Sequence, residues 1–367
     1  MYATLCARPS GATIHITIMT IDSEIRVMGN STRVARAKPV PAYLLPPMPP
    51  IVAICRRLPG TIALPGAEVR QNAADRAFTR DELHAFVKGA AVLITWVSER
   101  VDAALLDAAG PSLRAVCNFA VGTDNIDLPA CQQRGVLVTN TPDAVTEGTA
   151  DLAWTLILAT ARRLVEADRF ARSADYPARG PLGPDEFLGQ DLTGRTLAIV
   201  GAGRIGYAVA LRSLGWGMRV LYVARSRHTN FELAPLAARR VCLDDALREA
   251  DVVSIHTPLT PETRGLIHAG NLALMKPAAI LVNTARGPII DEAALAAHLK
   301  ARRIWGAGLD VFEREPIVHS DLLGLSNCVL TPHIGSGAIR FRAMMTDMAC
   351  ANARAVLEGR EPPNRVV

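Results

Sequence analysis

Three polar residues of complementary chemistry lie near the C-terminal end of this 367-residue chain. They are Arg286 in Asn283-Thr284-Ala285-Arg286-Gly287, Glu315 in Asp310-Val311-Phe312-Glu313-Arg314-Glu315-Pro316, and His333 in Thr331-Pro332-His333-Ile334-Gly335-Ser336. A guanidinium is a two-pronged donor for a carboxylate. An imidazole moves a proton near neutral pH, and a carboxylate beside it favours the charged ring and fixes its orientation. Upstream, the turn Gly201-Ala202-Gly203-Arg204-Ile205-Gly206 follows the apolar run Leu197–Val200 and opens a helical pattern. Its glycines permit a tight turn and close backbone approach, so that a pyrophosphate can rest on a helix N-terminus. A dinucleotide cradle, an anion fork and a tuned imidazole form the inventory that reduction of a 2-oxoacid by a nicotinamide cofactor requires. Taken singly each is weak. His333 is one of eight histidines, Arg286 could cap a strand end, and Glu315 could pair with Arg314. The set gains weight because each member lies at or near the carboxyl end of a strand pattern, where open α/β sheets hold their ligands.

The strand after such a glycine turn normally ends in an acid for the ribose 2′-hydroxyl. Eighteen residues after Gly206 that position holds Ala224, followed by Arg225, Ser226 and Arg227. The acid that would repel a 2′-phosphate is missing, and two guanidinium groups could pair with one. NADP(H) is therefore the preferred cofactor on this reading and NAD(H) the alternative, the plain reading being that both arginines are solvated loop residues.

The elements that must position these residues are legible as strand–helix alternation, which argues for parallel sheets. Strands are expected at 51–55, 92–95, 113–117 and 136–139, with helices at 80–87, 102–108 and 128–134. A long helix should run from Thr146, as N-cap, to about Arg172. Its middle is apolar nearly all round, so it must be covered on more than one face, by a domain junction or a subunit interface. A loop from Ser173 to Gly189 with three prolines and three glycines follows. A second series has strands at 196–200, 219–223, 251–255, 279–283, 306–310 and 328–330, and helices at 204–216, 243–250 and 292–302. A final helix, about 338–357, has no strand of its own and could return to the first domain.

Half the residues are hydrophobic and 5% are aromatic, as in Ala/Val/Leu-rich α/β proteins. No apolar run reaches the roughly 18 residues of a membrane span. The seven cysteines form no CxxC or Cys/His cluster, so neither a metal site nor a disulfide framework is indicated, and a reducing cytoplasm is the default. The formal charge is +5, of which the first 50 residues, with five Arg/Lys against two acids, carry +3 and the remainder +2. That balance argues against a nucleic-acid surface. Those first 50 residues lack a clear period and place six prolines between Pro39 and Pro50. They read as a disordered extension or linker, with a targeting peptide or a true start at Met48 as alternatives.

From about residue 51 onward the chain resembles the D-isomer-specific 2-hydroxyacid dehydrogenases. The resemblance is carried by 120–127 (Ala-Val-Gly-Thr-Asp-Asn-Ile-Asp), 139–143 (Thr-Asn-Thr-Pro-Asp), 282–287, 309–312 and 331–336. Within that family it is most similar to the glyoxylate/hydroxypyruvate reductases, through 149–154, 168–170 and 362–364. The resemblance implies two doubly wound parallel-sheet domains around a cleft. One is a flavodoxin-like substrate domain of 51–145 plus 336–367, and the other a Rossmann dinucleotide-binding domain of 146–335. It implies that Arg286, Glu315 and His333 are catalytic, and that Arg286 and His333, with Val97, Ser98, Val121 and Gly122, touch substrate. It further implies that Asp310 faces the nicotinamide and Thr257-Pro258 the adenosine, with Thr284, Ala285 and Gly335 beside the cofactor. A homodimer through the 146–172 helix and the 173–190 arm belongs to the same picture. Two rival activities are a dehydrogenase for a bulkier acid such as 2-ketogluconate and a nucleotide-sensing corepressor-like binding module. The chain departs from the branch's pattern in two respects: the extension 1–50 has no counterpart in it, and the arm has Tyr176 and Phe187 but no tryptophan, which leaves the size of the substrate open.

Overall fold

The computed structural model describes residues 48–74 and 76–367, and the backbone of two short antiparallel strands, β1 (Thr20–Ile21) and β2 (Glu24–Ile25). The expectations for residues 1–50 otherwise fall outside the described residues. Pro50–Val367 is one compact unit and contains two all-parallel sheets.

The first sheet is built from β3 (Ile51–Ile54), β4 (Glu68–Gln71), β5 (Ala90–Thr95), β6 (Ala115–Asn118) and β7 (Leu137–Thr139), in the order β4-β3-β5-β6-β7. Between them run α1 (Arg80–Phe86), α2 (Ala103–Ala109) and α3 (Leu128–Gln133). Each helix starts where a short polar side chain takes up a free N–H. Thr79 and Glu82 form a capping box on α1, Asp102 caps α2 and Asp127 caps α3. β4 is an addition to the expected strands: Glu-Val-Arg-Gln is a polar edge strand, without the apolar pattern that marks the central ones.

Next come α4 (Thr146–Ala161), α5 (Leu164–Ala171) and α6 (Asp175–Arg179). The single helix expected over 146–172 is therefore broken, and the expected loop contains a short helix. The Ala161 carbonyl, which would continue α4, accepts instead from the Gln190 N–H at 2.9 Å, and Arg163 adopts φ +53°. Gly189 permits this return, since a Cβ there would stand 2.5 Å from the Ala161 oxygen. Thr146 is not the N-cap either; Val145 holds that position in helical conformation without a side-chain bond. Nor does α4 need a subunit interface to cover it. It lies on the second sheet and against the helix Arg204–Arg212, with Trp154 Nε1 donating to the Val209 carbonyl at 2.9 Å. A Cβ on Gly308 would approach Leu156 Cβ to 2.8 Å, so glycine in the sheet lets the helix lie flush.

The second sheet contains β8 (Thr196–Val200), β9 (Arg219–Val223), β10 (Arg239–Arg240), β11 (Val252–Ile255), β12 (Ile280–Asn283), β13 (Gly306–Leu309) and β14 (Cys328–Leu330). Their order, β10-β9-β8-β11-β12-β13-β14, reverses direction at β8. The intervening helices are α7 (Arg204–Arg212), α8 (Thr229–Glu232), α9 (Leu243–Glu249), α10 (Ala269–Leu272), α11 (Glu292–Lys300) and α12 (Ser320–Leu323). Because all seven strands are parallel, the segments after β8, β11, β12, β13 and β14 emerge at one end of the sheet. The last helix, α13 (Ile339–Leu357), returns to the first sheet. There Met345, Ala349, Ala353 and Val356 share a core with Val52, Ile54, Ile94 and Cys117. Each large apolar side chain buried in that core contributes roughly 1.5–3 kcal/mol. Among the described residues, no helix is long and apolar enough to cross a membrane.

Candidate active site

A cavity of about 560 Å³ opens between the two sheets, at the carboxyl ends of these strands. Of the residues singled out from sequence, Val97, Val121, Gly122, Gly203, Arg204, Ile205, Thr257, Pro258, Thr284, Ala285, Arg286, Asp310, His333 and Gly335 line it.

The glycine turn is the floor. Gly201 has φ +107°, and a Cβ on it would lie 2.6 Å from the His256 carbonyl carbon and the Thr257 nitrogen. A Cβ on Gly206 would meet the Gly201 oxygen at 2.2 Å, which brings α7 hard against β8. Gly203 behaves differently: nothing lies within 4 Å of its virtual Cβ, and as N-cap of α7 it offers no side-chain bond to the first N–H groups. An open, uncapped helix N-terminus over a glycine turn fits a pyrophosphate. The Thr284 hydroxyl, buried, without a partner among the described residues and on the cavity wall, fits a bound ligand as well. Gly201, Ala202 and Gly206 shape this cradle from beneath and do not line it.

His333 is placed by Asp310. The Asp310 carbonyl accepts from the His333 N–H at 2.8 Å. Its carboxylate accepts from the Thr331 hydroxyl (2.7 Å) and from the N–H of Ile334 and Gly335 (both 2.8 Å). Burial pushes the Asp310 carboxyl above its usual range, against those hydrogen bonds. The loop so held puts His333 at φ +54°, and Nδ1 meets Glu315 Oε2 at 2.7 Å. Glu315 Oε1 accepts from the Phe312 N–H at 3.0 Å. Burial alone would raise the Glu315 carboxyl, but the His333 ring and the Phe312 amide outweigh it and the net shift is downward. An ionised Glu315 requires the proton on Nδ1, so Nε2 is the ring nitrogen left for the cavity. Glu315 itself stands behind the ring and does not line the cavity.

A second imidazole, His256, also reaches the wall. Desolvation pushes its pKa down to about 3, and its Nε2 contacts the Ser254 hydroxyl at 2.8 Å. It stays neutral near pH 7.

Arg286 leaves β12 with Gly287 next to it; a Cβ on Gly287 would stand 1.8 Å from the Phe312 carbonyl carbon, so only glycine fits. Its guanidinium crosses to the first sheet. Nε and Nη2 bond Asp124, at 3.0 and 2.9 Å, and Nη1 donates to the Ala285 carbonyl at 2.8 Å. Gly122 lies directly against it, where a Cβ would be 2.0 Å from Nη2. The Asn140 and Asn118 side chains hold the carbonyls of Val121 (2.9 Å) and Gly122 (2.7 Å). Among the described residues no acceptor takes the N–H of Val121, Gly122 or Thr123. Successive free N–H groups beside a guanidinium make an anion-binding concavity.

Two expectations fall differently. Ser98 does not line the cavity; its hydroxyl bonds Glu99 (2.7 Å) and accepts from Arg56 (2.8 Å). Ala224 and Arg227 line a separate cavity of about 750 Å³, while Arg225 and Ser226 are exposed beside it. Sequence reasoning also missed Asp124, Trp96, Ser336 and Met345 on the main wall. Asp124 lies within the 120–127 motif, and its acidic charge there was the available signal. The other three carry no mark of their role.

The model of the D-isomer specific 2-hydroxyacid dehydrogenase NAD-binding domain matches residues 154–335. The glyoxylate reductase of Thermococcus kodakarensis is 49% identical over 293 residues, covering 80% of this chain and 87% of that protein. That of Thermococcus onnurineus is 46% identical, covering 87% and 96%. Among solved structures, a protein from Thermus thermophilus superposes with a TM-score of 0.79 at 44% identity, covering 86% of this chain and all of that one. An NADPH-dependent glyoxylate/hydroxypyruvate reductase from Sinorhizobium meliloti, in complex with NADP and malonate, gives 0.72 at 32%, covering 87% and 97%. With its two parallel sheets, its cofactor cradle and relatives this similar along most of its length, the chain belongs to the D-isomer specific 2-hydroxyacid dehydrogenases, NAD(P)-dependent oxidoreductases.

Proposed function

We infer that the chain reduces small 2-oxoacids, glyoxylate and hydroxypyruvate, to the 2-hydroxyacids glycolate and D-glycerate, with NADPH as preferred cofactor. One observation carries this reading: Arg286, the free N–H groups of Val121–Thr123 and the His333 ring border one cavity of about 560 Å³ with the glycine cradle. The names of the relatives from Thermococcus and Sinorhizobium support it. In this reading residues 51–145 plus 336–367 are the substrate domain, and 146–335 bind the dinucleotide.

A nicotinamide dinucleotide bound with its pyrophosphate at the glycine turn would supply the hydride. Arg286 and the 121–123 amides hold the substrate carboxylate; Asp124, an internal carboxylate on the same guanidinium, shows that the fork accepts one. His333 donates its proton from Nε2 to the C2 oxygen as charge develops there. Glu315 holds Nδ1 and stabilises the charged ring before transfer.

Glu315→Gln tests the last step. Losing the carboxylate removes what holds Nδ1 in place, so kcat should fall while KM changes little. An unchanged kcat would show that Glu315 only supports the loop. The sign at acid pH follows from the lowered Glu315 carboxyl: the pair persists above its range and is lost as pH falls through it.

We further propose a homodimer. With α4 covered within the chain, the exposed apolar side chains nearby include Leu164 (57% exposed), Tyr176 (42%), Leu182 (39%) and Leu188 (59%), on α5 and the arm. A second copy seated there would bury them. Light scattering after size exclusion should give twice the chain mass, falling to one chain in Leu164→Glu/Leu188→Glu; a wild-type monomer contradicts this.

The function itself is tested by initial rates for glyoxylate, hydroxypyruvate, phenylpyruvate and 2-ketogluconate, each with NADPH and NADH. Highest kcat/KM for the two small oxoacids with NADPH is expected. A strong preference for the C6 acid overturns the substrate assignment, and no turnover of any oxoacid would leave a nucleotide-sensing binding module.

A further inference from the structure

The loop after β9 meets a carboxylate that its own sequence does not contain. Glu232, the last residue of α8, turns back toward β9 and accepts from the Tyr222 hydroxyl at 2.5 Å. It also receives Arg227, with Nη2 at 2.6 Å and Nε at 3.0 Å from Oε2. The Glu232 side chain is 18% exposed and that of Arg227 77%, so the acid is the fixed partner and the guanidinium the one free to swing. Arg227, and then Tyr222, hold the Glu232 carboxyl below its usual range, so it is charged at neutral pH. Arg227 and Glu232 line the 750 Å³ cavity with Ala224. Arg240, from β10, lines it too and fixes the loop backbone, donating to the carbonyls of Ala224 (3.0 Å) and Arg225 (2.6 Å).

The place is where a parallel sheet with this glycine turn receives the adenosine ribose. Ala224 leaves it without an acid from the strand end, but Glu232 returns one from eight residues further on. We propose that Glu232 sets how far this chain discriminates between a phosphorylated and a free ribose 2′ position. It holds Arg227 in an internal pair, so a 2′-phosphate is gripped only when Arg227 leaves Glu232 for it, with the carboxylate left close to the phosphate. A free 2′-hydroxyl meets that carboxylate as an acceptor. Glu232 therefore tempers the preference for the phosphorylated cofactor that Arg225 and Arg227 favour. The proposal rests on the reading that the 2′ position lies at this loop.

The test uses the full chain and two fragments, 2′,5′-ADP and 5′-ADP, titrated calorimetrically into the wild type, Glu232→Gln, Arg227→Ala and the double variant. In Glu232→Gln the affinity ratio of 2′,5′-ADP to 5′-ADP should rise roughly tenfold, because a like charge leaves and a guanidinium is released. In Arg227→Ala it should fall by a similar factor, and the double variant should recover part of that loss. A ratio in Glu232→Gln that stays within about twofold of wild type, or that falls, overturns the proposal. Should Glu232→Gln fail to fold, Arg227→Ala decides, since equal losses for both fragments would show that no exchange onto phosphate occurs. The wild-type ratio separately reports the NADPH preference. If wild type binds both fragments equally while Glu232→Gln gains for 2′,5′-ADP alone, the preference fails and the role of Glu232 stands.

Discussion

Replacing His333 with alanine is expected to lower the turnover of oxoacid reduction by about 10²–10⁴, the usual worth of a placed general acid. The loss should fall on kcat, with little change in KM, because the carboxylate is held elsewhere, by Arg286 and the 121–123 amides. The pH dependence of the residual rate should flatten, since the group whose proton is consumed is gone. The fold should survive: His333 sits in a loop already tied down by the Asp310 carboxylate through Thr331, Ile334 and Gly335, and Glu315 keeps its bond from the Phe312 N–H. Steady-state kinetics across pH would read all three effects. His256, held neutral by desolvation, offers no substitute. A variant retaining more than about a tenth of wild-type turnover would remove His333 from the chemistry.

Arg286→Ala should lower kcat/KM by about 10²–10³ through loss of both anchoring and carbonyl polarisation. Its signature differs from that of His333, because KM rises. Part of the effect comes from Asp124, which loses its partner and then presents a bare carboxylate to an anionic substrate. Arg286→Ala combined with Asp124→Asn should therefore recover part of the lost kcat/KM. If the double variant is no better than the single one, the pair is only an ion bridge between the two sheets. Lysine at 286 should rescue poorly, since a point charge cannot reproduce the fork.

How much of this is legible in the residues depends on what kind of force fixes each element. Most central strands, buried on both faces, are written as short Val/Ile/Leu runs (β13, Gly-Ala-Gly-Leu, is not), and the three chemical residues follow β12, β13 and β14 so closely that their convergence follows from parallel topology. The return of α13 to the first sheet is readable from the lack of a strand after it. The break at Ala161–Arg163 is not, because its cause is a hydrogen bond from Gln190 and space provided by Gly189, far along the chain. The edge strands β4 and β10 are polar and short, held by register with a neighbour and not by burial. The same limit applies at the ribose loop. Ala224 visibly lacks an acid, but Glu232 reaches that cavity through the turn of α8, which local spacing does not reveal.

The central claim is that Arg286 and His333 act on one oxoacid beside the glycine cradle. It is tested most directly by a crystal structure of the chain with NADPH and oxamate, an unreactive 2-oxoacid mimic. The oxamate carboxylate should lie on Arg286 and the amides of Val121 and Gly122, with its amide carbonyl oxygen about 3 Å from His333 Nε2. Oxamate bound with its carbonyl turned away from His333, or seated away from Arg286 while the cavity is closed around it, would contradict the account.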